Sequence, residues 1–181
     1  MKRIIVVFFI LSYAMSFFAN AEEHVQAIRQ GTATNYTGPI NALLKATIDK
    51  LGNSRSSVTN MIGKPLSMSS EFVANPNAPL QDDRIHTLTY DGIIIWIYQT
   101  AANSKERLIS VRMTKNRKEF LPELIGKSKE FIIATFGQPT SFGEDKFKYD
   151  SLDEDESGLG ILELEFKNSS VDAVDLTYYI D

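Results

Sequence analysis

Two stretches of this chain decide its fold: residues 51–67, LGNSRSSVTNMIGKPLS, and residues 125–141, IGKSKEFIIATFGQPTS. They align without a gap at an offset of 74 residues, and five of the 17 aligned positions are identical. All five are glycine, serine or proline, the residues that begin and end local structure. Because these residues recur at the same spacing, the chain is predicted to contain one structural unit twice.

Each copy predicts a short, capped helix. Ser54 and Ser128 stand where an N-cap hydroxyl would accept hydrogen bonds from the first helical turn. Apolar residues then follow at helical spacing. Gly63 and Gly137 offer the left-handed residue that closes a helix, and a proline two positions later prevents its continuation.

The rest of each copy predicts a helix before this one and strands after it. The earlier helix opens at Gly38-Pro39 in the first copy and covers residues 117–124 in the second. Residues 68–83 are expected to be irregular, and Asp91-Gly92 indicates a two-residue hairpin. The predicted fold class is α+β: two tandem repeats, each a helix pair followed by a three- to four-stranded antiparallel sheet, with the helices on one face.

The N-terminus predicts export. Lys2 and Arg3 precede an apolar run, and Ala19-Asn20-Ala21 matches a cleavage site, so residues 1–21 are interpreted as a signal peptide. The predicted organisation continues with an N-terminal arm (22–38), repeat 1 (39–116) and repeat 2 (117–181). The expected location is periplasmic or secreted, with no membrane anchor after cleavage.

The amino-acid composition limits the kinds of molecule that this chain is expected to bind. The chain has no cysteine, which excludes disulfides and a lipid-modified cysteine. Residues 117–181 hold 7 basic and 15 acidic side chains, a balance that argues against nucleic acid and anionic lipid. A protein partner of unknown identity is the expectation.

The repeated motif resembles the β-lactamase-inhibitor-protein-like (BLIP-like) tandem-repeat fold, and is similar to the single-unit SmpA/OmlA domains of outer-membrane assembly. The resemblance covers residues 39–181. The resemblance depends on matching glycine, serine, aliphatic and proline positions in both copies: Gly52, Ser54, Val58, Gly63, Pro65, Gly126, Ser128, Ile132, Gly137 and Pro139. It implies bacterial export, no catalysis, and protein binding on a concave sheet face and at hairpin tips.

Two departures narrow the functional hypothesis. The disulfides of the inhibitor are absent, and its inhibitory hairpin is longer than the Tyr90-Asp91-Gly92 turn. The expected function is therefore an exported, soluble, non-catalytic protein-binding module, with an inhibitor or immunity protein against an envelope enzyme as its concrete form. A structural accessory in envelope assembly and an unrecognised enzyme are the alternatives.

The contact surface is predicted from a strand that is apolar on both faces. Residues 93–98 alternate Ile93, Ile95 and Ile97 with Ile94, Trp96 and Tyr98, whereas a sheet covered by helices needs only one dry face. Packing of the two repeats and self-association are the other interpretations. The candidate partner-binding residues are Leu88, Tyr90, Asp91, Trp96, Tyr98 and Tyr179, and Asp91 also suits the turn by itself.

No catalytic or metal site is predicted, and no cofactor. The two histidines, His24 and His86, match no triad or metal-ligand spacing. The acidic run 150–158 begins like a calcium loop but has Leu164 where a bidentate glutamate is required. A solvated loop is the favoured interpretation of that run, with weak cation binding as the alternative.

Overall fold

The structure is a computed structural model that describes residues 37–75, 81–117, 121–151 and 159–179. The predicted signal peptide, nearly all of the N-terminal arm and most of the acidic run lie outside the described residues. Three helices are described: α1 (Thr37–Leu51), α2 (Arg55–Ile62) and α3 (Lys129–Phe136). The strands are β1 (Ser67–Ala74), β2 (Asp82–Tyr90), β3 (Ile93–Gln99), β4 (Glu106–Met113), β5 (Ser141–Phe142), β6 (Lys146–Asp150), β7 (Gly160–Lys167) and β8 (Ser170–Tyr178).

The strands form a single antiparallel sheet in the order β1-β2-β3-β4-β8-β7-β6-β5. Each half of the chain supplies four strands, and the last strand of each half pairs with the other. This seam between β4 and β8 consists of four residue pairs, from Ser110–Thr177 to Met113–Val174. The predicted fold class is therefore wrong: the helices and strands do not divide into two units with a small sheet each.

The physical reason lies in the two strands at the seam. Two separate sheets would each leave a strand edge with unpaired N–H and C=O groups. Pairing β4 with β8 satisfies those groups and aligns Val111 with Leu176, both fully buried. One continuous sheet thus buries apolar surface that two small sheets would leave open.

Helix α1 joins the halves a second time. It contacts α2 and α3, and it also contacts β6 and β7 from the other half of the sheet. The Tyr178 hydroxyl donates to the Leu44 carbonyl at 3.4 Å. In the second half, residues 121–124 are not helical, in agreement with Pro122. A helix pair in each half is thus not formed, and one apolar core runs beneath all three helices.

The two capped helices are confirmed. The Ser54 hydroxyl accepts from the Ser57 N–H at 3.1 Å, and the Ser128 hydroxyl accepts from the Phe131 N–H at 3.3 Å. Gly63 and Gly137 close the helices with φ of 99° and 79°. No described helix is both long and apolar enough to cross a membrane.

Candidate functional site

One face of the sheet carries the core and the helices, and the opposite face carries no described helix. We call this second surface the open face. Side chains alternate between the two faces along each strand. The strand register assigns to the open face Ile85, Thr87, Thr89, Ile94, Trp96, Tyr98, Arg107, Ser110, Arg112, Lys146, Lys148, Glu163, Glu165, Asp175 and Thr177.

The part of the open face on β3 carries Ile94, Trp96 and Tyr98, and we call it the aromatic part. Trp96 lies at its centre. It is the only tryptophan of the chain, and it is partly exposed. Its cross-strand neighbours are Thr87 on β2 and Ser110 on β4. Both neighbours have small side chains, which cover less of the indole ring than large ones would.

Tyr98 is fixed by a buried carboxylate. Its hydroxyl donates to Asp83, which also accepts from the Ala101 N–H at 2.8 Å and from the Asn75 amide at 3.2 Å. The hydrogen bond from Tyr98 is the main reason that the pKa of Asp83 lies below its ordinary value, and the same bond raises the pKa of Tyr98. The phenol ring is therefore held in one orientation. No local sequence pattern predicts this contact, because Asp83 and Tyr98 lie on different strands.

Leu88 and Tyr90 lie on the other face. They are only 0% and 6% exposed, in the core beneath the helices. A two-residue turn places its flanking residues opposite each other, so Tyr90 pairs with Ile93 and shares the face of Ile95. The sequence already predicts the Asp91-Gly92 turn. The strand register that this turn imposes places Tyr90 and Trp96 on opposite faces of the sheet. These two residues do not belong to the open face.

Asp91 lies exposed at the hairpin tip, where it already has a partner. Lys115 Nζ contacts both of its carboxylate oxygens, at 2.6 and 2.7 Å. This contact, first as a hydrogen bond and then as charge attraction, lowers the pKa of Asp91. A partner protein would have to compete with Lys115 for this carboxylate.

Tyr179 follows β8 and is 39% exposed. Its hydroxyl donates to Asp150 Oδ1 at 2.7 Å. Burial, followed by this hydrogen bond, raises the pKa of Tyr179 to about 12. It lies two residues beyond Thr177, on the side of the sheet that carries the open face.

The second half of the open face is ionic. Arg112 contacts Asp175 and Glu165, each at 2.6 Å, and these pairs bridge the seam. Lys146 contacts Glu163 at 2.7 Å. The hydrogen bond from Arg112 lowers the pKa of Glu165, whereas burial raises the pKa of Asp175. These charged groups are therefore already paired with each other.

A polar group that sequence reasoning missed lies on the helix side, at the β1 end of the sheet. We call it the histidine cluster: Arg55, Ser70, His86, Gln99 and Glu106. His86 is buried, with Nδ1 at 2.6 Å from the Ser70 hydroxyl and 3.4 Å from the Arg55 guanidinium. Its Nε2 lies 3.0 Å from Gln99 Oε1.

The neighbours of His86 match one tautomer of the neutral ring. Arg55 can only donate, which suits an acceptor at Nδ1, and Gln99 Oε1 accepts, which suits a hydrogen on Nε2. Arg55 is held in turn by Glu106, through both its side chain and its backbone N–H. The cluster connects β1, β2, β3, β4 and α2, and its internal pairing is typical of a structural role.

An open cavity of about 370 Å³ lies at the start of α2, lined by Asn53, Ser54, Ser57, Ser104 and Glu106. Glu106 is its one acidic side chain, and that carboxylate is bound to Arg55. In the described ranges, histidine and acidic side chains form no group of three that could hold a metal ion. The cavity therefore gathers hydroxyl and amide groups without a base that is free to act on them.

The described residues define an α+β protein with one wide antiparallel sheet, covered by helices on one side and without a described helix on the other. No family model matches the sequence. No curated protein matches it either. Among solved structures, a DUF4309 family protein, YjgB from Bacillus subtilis subsp. subtilis str. 168, is similar at 14% identity and a TM-score of 0.42. The match covers 80% of this chain and all of that chain.

Proposed function

We propose that this chain is an exported, non-catalytic protein-binding module, and that its contact surface is the open face around Trp96. The pattern of residues 1–21 supports export. A partly exposed tryptophan on a sheet face that carries no described helix is the observation that supports binding most strongly. Tryptophan and tyrosine dominate the energetics of protein interfaces because they bury much surface at small entropic cost.

The aromatic part of the face is preorganised. Strand β3 is hydrogen-bonded on both sides, to β2 and β4, with a bulge against β4 between Trp96 and Ile97, so the strand that carries Trp96 is positioned before a partner arrives. Tyr98 is held by Asp83. Preorganisation reduces the ordering cost of association and therefore favours affinity.

The charged part of the face supports binding rather than catalysis. Glu163, Glu165 and Asp175 lie beside Lys146 and Arg112, so their carboxylates are engaged in ion pairs. General acid–base catalysis instead needs a group that is free to exchange a proton with a substrate. Such paired groups suit the polar rim of an interface.

The charge of the chain indicates the chemistry of the partner. The net charge is −4, and the acidic residues concentrate in the second half. A partner that presents an apolar patch with a basic border would be attracted to this acidic half of the chain, and its apolar patch could cover Trp96. An envelope or secreted enzyme with such a patch, inhibited on binding, is the concrete form of the proposal.

Capture from an envelope and secreted fraction tests the proposal. The immobilised protein is compared with Trp96→Ala, and with Phe142→Ala as the matched control. Phe142 is 75% exposed and lies on β5, at the far edge of the sheet. Circular dichroism establishes that each variant is folded.

We expect a captured protein that Phe142→Ala retains and Trp96→Ala loses. Titration with that purified partner should then give a loss of about 2 kcal/mol or more for Trp96→Ala, as for a residue that dominates an interface. If Trp96→Ala captures the same proteins with the same affinity, the open face is not the contact surface.

A further inference from the structure

The two edges of the sheet are built differently. Strand β5 closes one edge with only two residues, whereas β1 closes the other with eight. A very short edge strand is one way in which proteins prevent further pairing, and lysine or proline in the strand is another. The sequence of β1, SMSSEFVA, contains neither. Strand β1 thus lacks three of these protections, because it is long and contains neither lysine nor proline.

The β1 edge also presents apolar side chains. Met68 and Phe72 are 58% and 67% exposed, although both point to the helix side of the sheet. Phe72 lies beneath the Arg84 guanidinium, whose central carbon is 4.9 Å from the ring centroid. In an antiparallel pair, alternate residues of a strand direct their N–H and C=O groups away from the first partner. Among the described strands β1 pairs only with β2, so one row of these groups is available to a second strand.

We propose that β1 pairs antiparallel with β1 of a second copy of this chain, forming a two-fold dimer with a continuous sixteen-stranded sheet. A two-fold axis perpendicular to the sheet keeps both helix layers on the same side. Opposite residues then share a face, so helix-side residues of one copy oppose helix-side residues of the other.

The side chains of β1 select one register. With the axis at Ser70, Met68 of each copy lies opposite Phe72 of the other, and the thioether–aromatic contact forms twice. Glu71 then lies opposite Ser69. Moving the axis to Glu71 would place two carboxylates directly opposite, which is unfavourable. The strand is therefore self-complementary in the register centred on Ser70, and this complementarity identifies the occupant as a second copy.

A charge exchange tests both the dimer and the register. Met68→Lys with Phe72→Lys places lysine opposite lysine, and the dissociation constant should rise by about tenfold or more. Met68→Lys with Phe72→Glu places lysine opposite glutamate and should restore association. Phe142→Lys is the matched control at the other edge, where it should change nothing.

Sedimentation velocity on the purified protein measures these effects, at concentrations up to about 0.5 mM, which detects even weak dimers. The wild type should shift from single-chain to two-chain mass as the concentration rises. A single-chain mass throughout would overturn the proposal. So would association that Met68→Lys with Phe72→Lys leaves intact, or that Met68→Lys with Phe72→Glu does not restore.

The absence of cysteine allows a second, independent measurement. Ser70→Cys places two thiols opposite each other at the axis, where paired Cα atoms are about 4.5–5.5 Å apart and suit a disulfide. Mild oxidation should cross-link this variant, whereas Ser141→Cys on β5 should stay uncross-linked. Equal cross-linking of the two variants would contradict the β1 dimer. The proposal does not depend on the function of the open face, so either can fail alone.

Discussion

Asp83 illustrates how single polar contacts hold the candidate binding surface. It is a buried carboxylate that accepts from Tyr98, from the Ala101 N–H and from Asn75. It therefore ties the end of β1 and the loop after β3 to the aromatic side chain on the open face. Sequence inspection could place Tyr98 on a strand, but only the folded chain brings Asp83 to its hydroxyl.

The lowered pKa of Asp83 predicts an acid dependence of stability. Because the folded-state pKa lies below the ordinary 3.8, its contribution is present above pH 3.8 and is lost as pH falls below it. Asp83→Asn should lower the urea midpoint at pH 7 and reduce the loss of stability between pH 4 and about pH 2. Asp172→Asn, at an exposed position of β8, is the control. An unchanged acid dependence in Asp83→Asn would contradict this role.

The histidine cluster gives a second prediction at the residue scale. His86→Ala removes a buried side chain together with its hydrogen bonds to Gln99, Arg55 and Ser70. A hydrogen bond contributes about 0.5–1.5 kcal/mol net, so the free energy of unfolding should fall by about 1–3 kcal/mol. Ser70→Ala should cost less, since Ser70 is exposed to water. Equal small effects would show that the cluster does not stabilise the fold.

At the scale of elements, α2 and α3 begin alike but are not equally well capped. Ser54 and Ser57 form a reciprocal capping box, in which the Ser54 N–H also donates to the Ser57 hydroxyl at 3.0 Å. The Ser128 hydroxyl accepts from the Phe131 N–H at the longer distance of 3.3 Å, and it also hydrogen-bonds the Glu130 side chain. Both helices therefore have a serine N-cap, but only α2 has the reciprocal bond that satisfies the N–H of the cap residue itself.

Removal of each cap should reveal that difference. Loss of an N-cap serine costs about 0.5–2 kcal/mol, so both Ser54→Ala and Ser128→Ala should destabilise within that range. Ser54→Ala should cost more, because it removes one half of a reciprocal pair. Urea denaturation of both variants measures this. A larger loss for Ser128→Ala would contradict the ranking.

The helices, turns and strands also differ in whether the sequence alone predicts them. Caps and the Asp91-Gly92 turn were predictable, since each depends on neighbouring residues. Strand β1 was not, because nearly all of its side chains are exposed and it has no apolar alternation to reveal it. The position of α1 over β6 and β7 was equally hidden, as this contact joins residues about a hundred positions apart. Trp96 was placed on the open face by alternation alone, whereas Leu88 and Tyr90 needed the register across the hairpin.

At the scale of the whole molecule, the seam between β4 and β8 joins the two halves into one sheet. Val111 and Leu176 are fully buried at its centre, and Arg112 joins Asp175 across it. The seam explains why a motif that occurs twice does not produce two separate sheets. Pairing between strands distant in sequence depends on burial, which local patterns do not encode.

This arrangement predicts cooperative unfolding. Leu176→Ala should cost about 2–5 kcal/mol, the usual loss for a large side chain in a packed core. Trp96 emission reports the first half of the sheet, and far-UV circular dichroism reports the whole. The two probes should give one shared transition in both wild type and variant. Separate transitions would show that the halves unfold independently.

Emission from Trp96 tests the proposed function most directly, because the chain has no other tryptophan. In a titration with the captured partner, or with a tryptophan-free variant of it, the indole should pass from water into the interface. We predict a blue shift and a marked fall in acrylamide quenching at saturation. Unchanged emission and quenching with the partner fully bound would contradict the assignment of the open face as the binding surface.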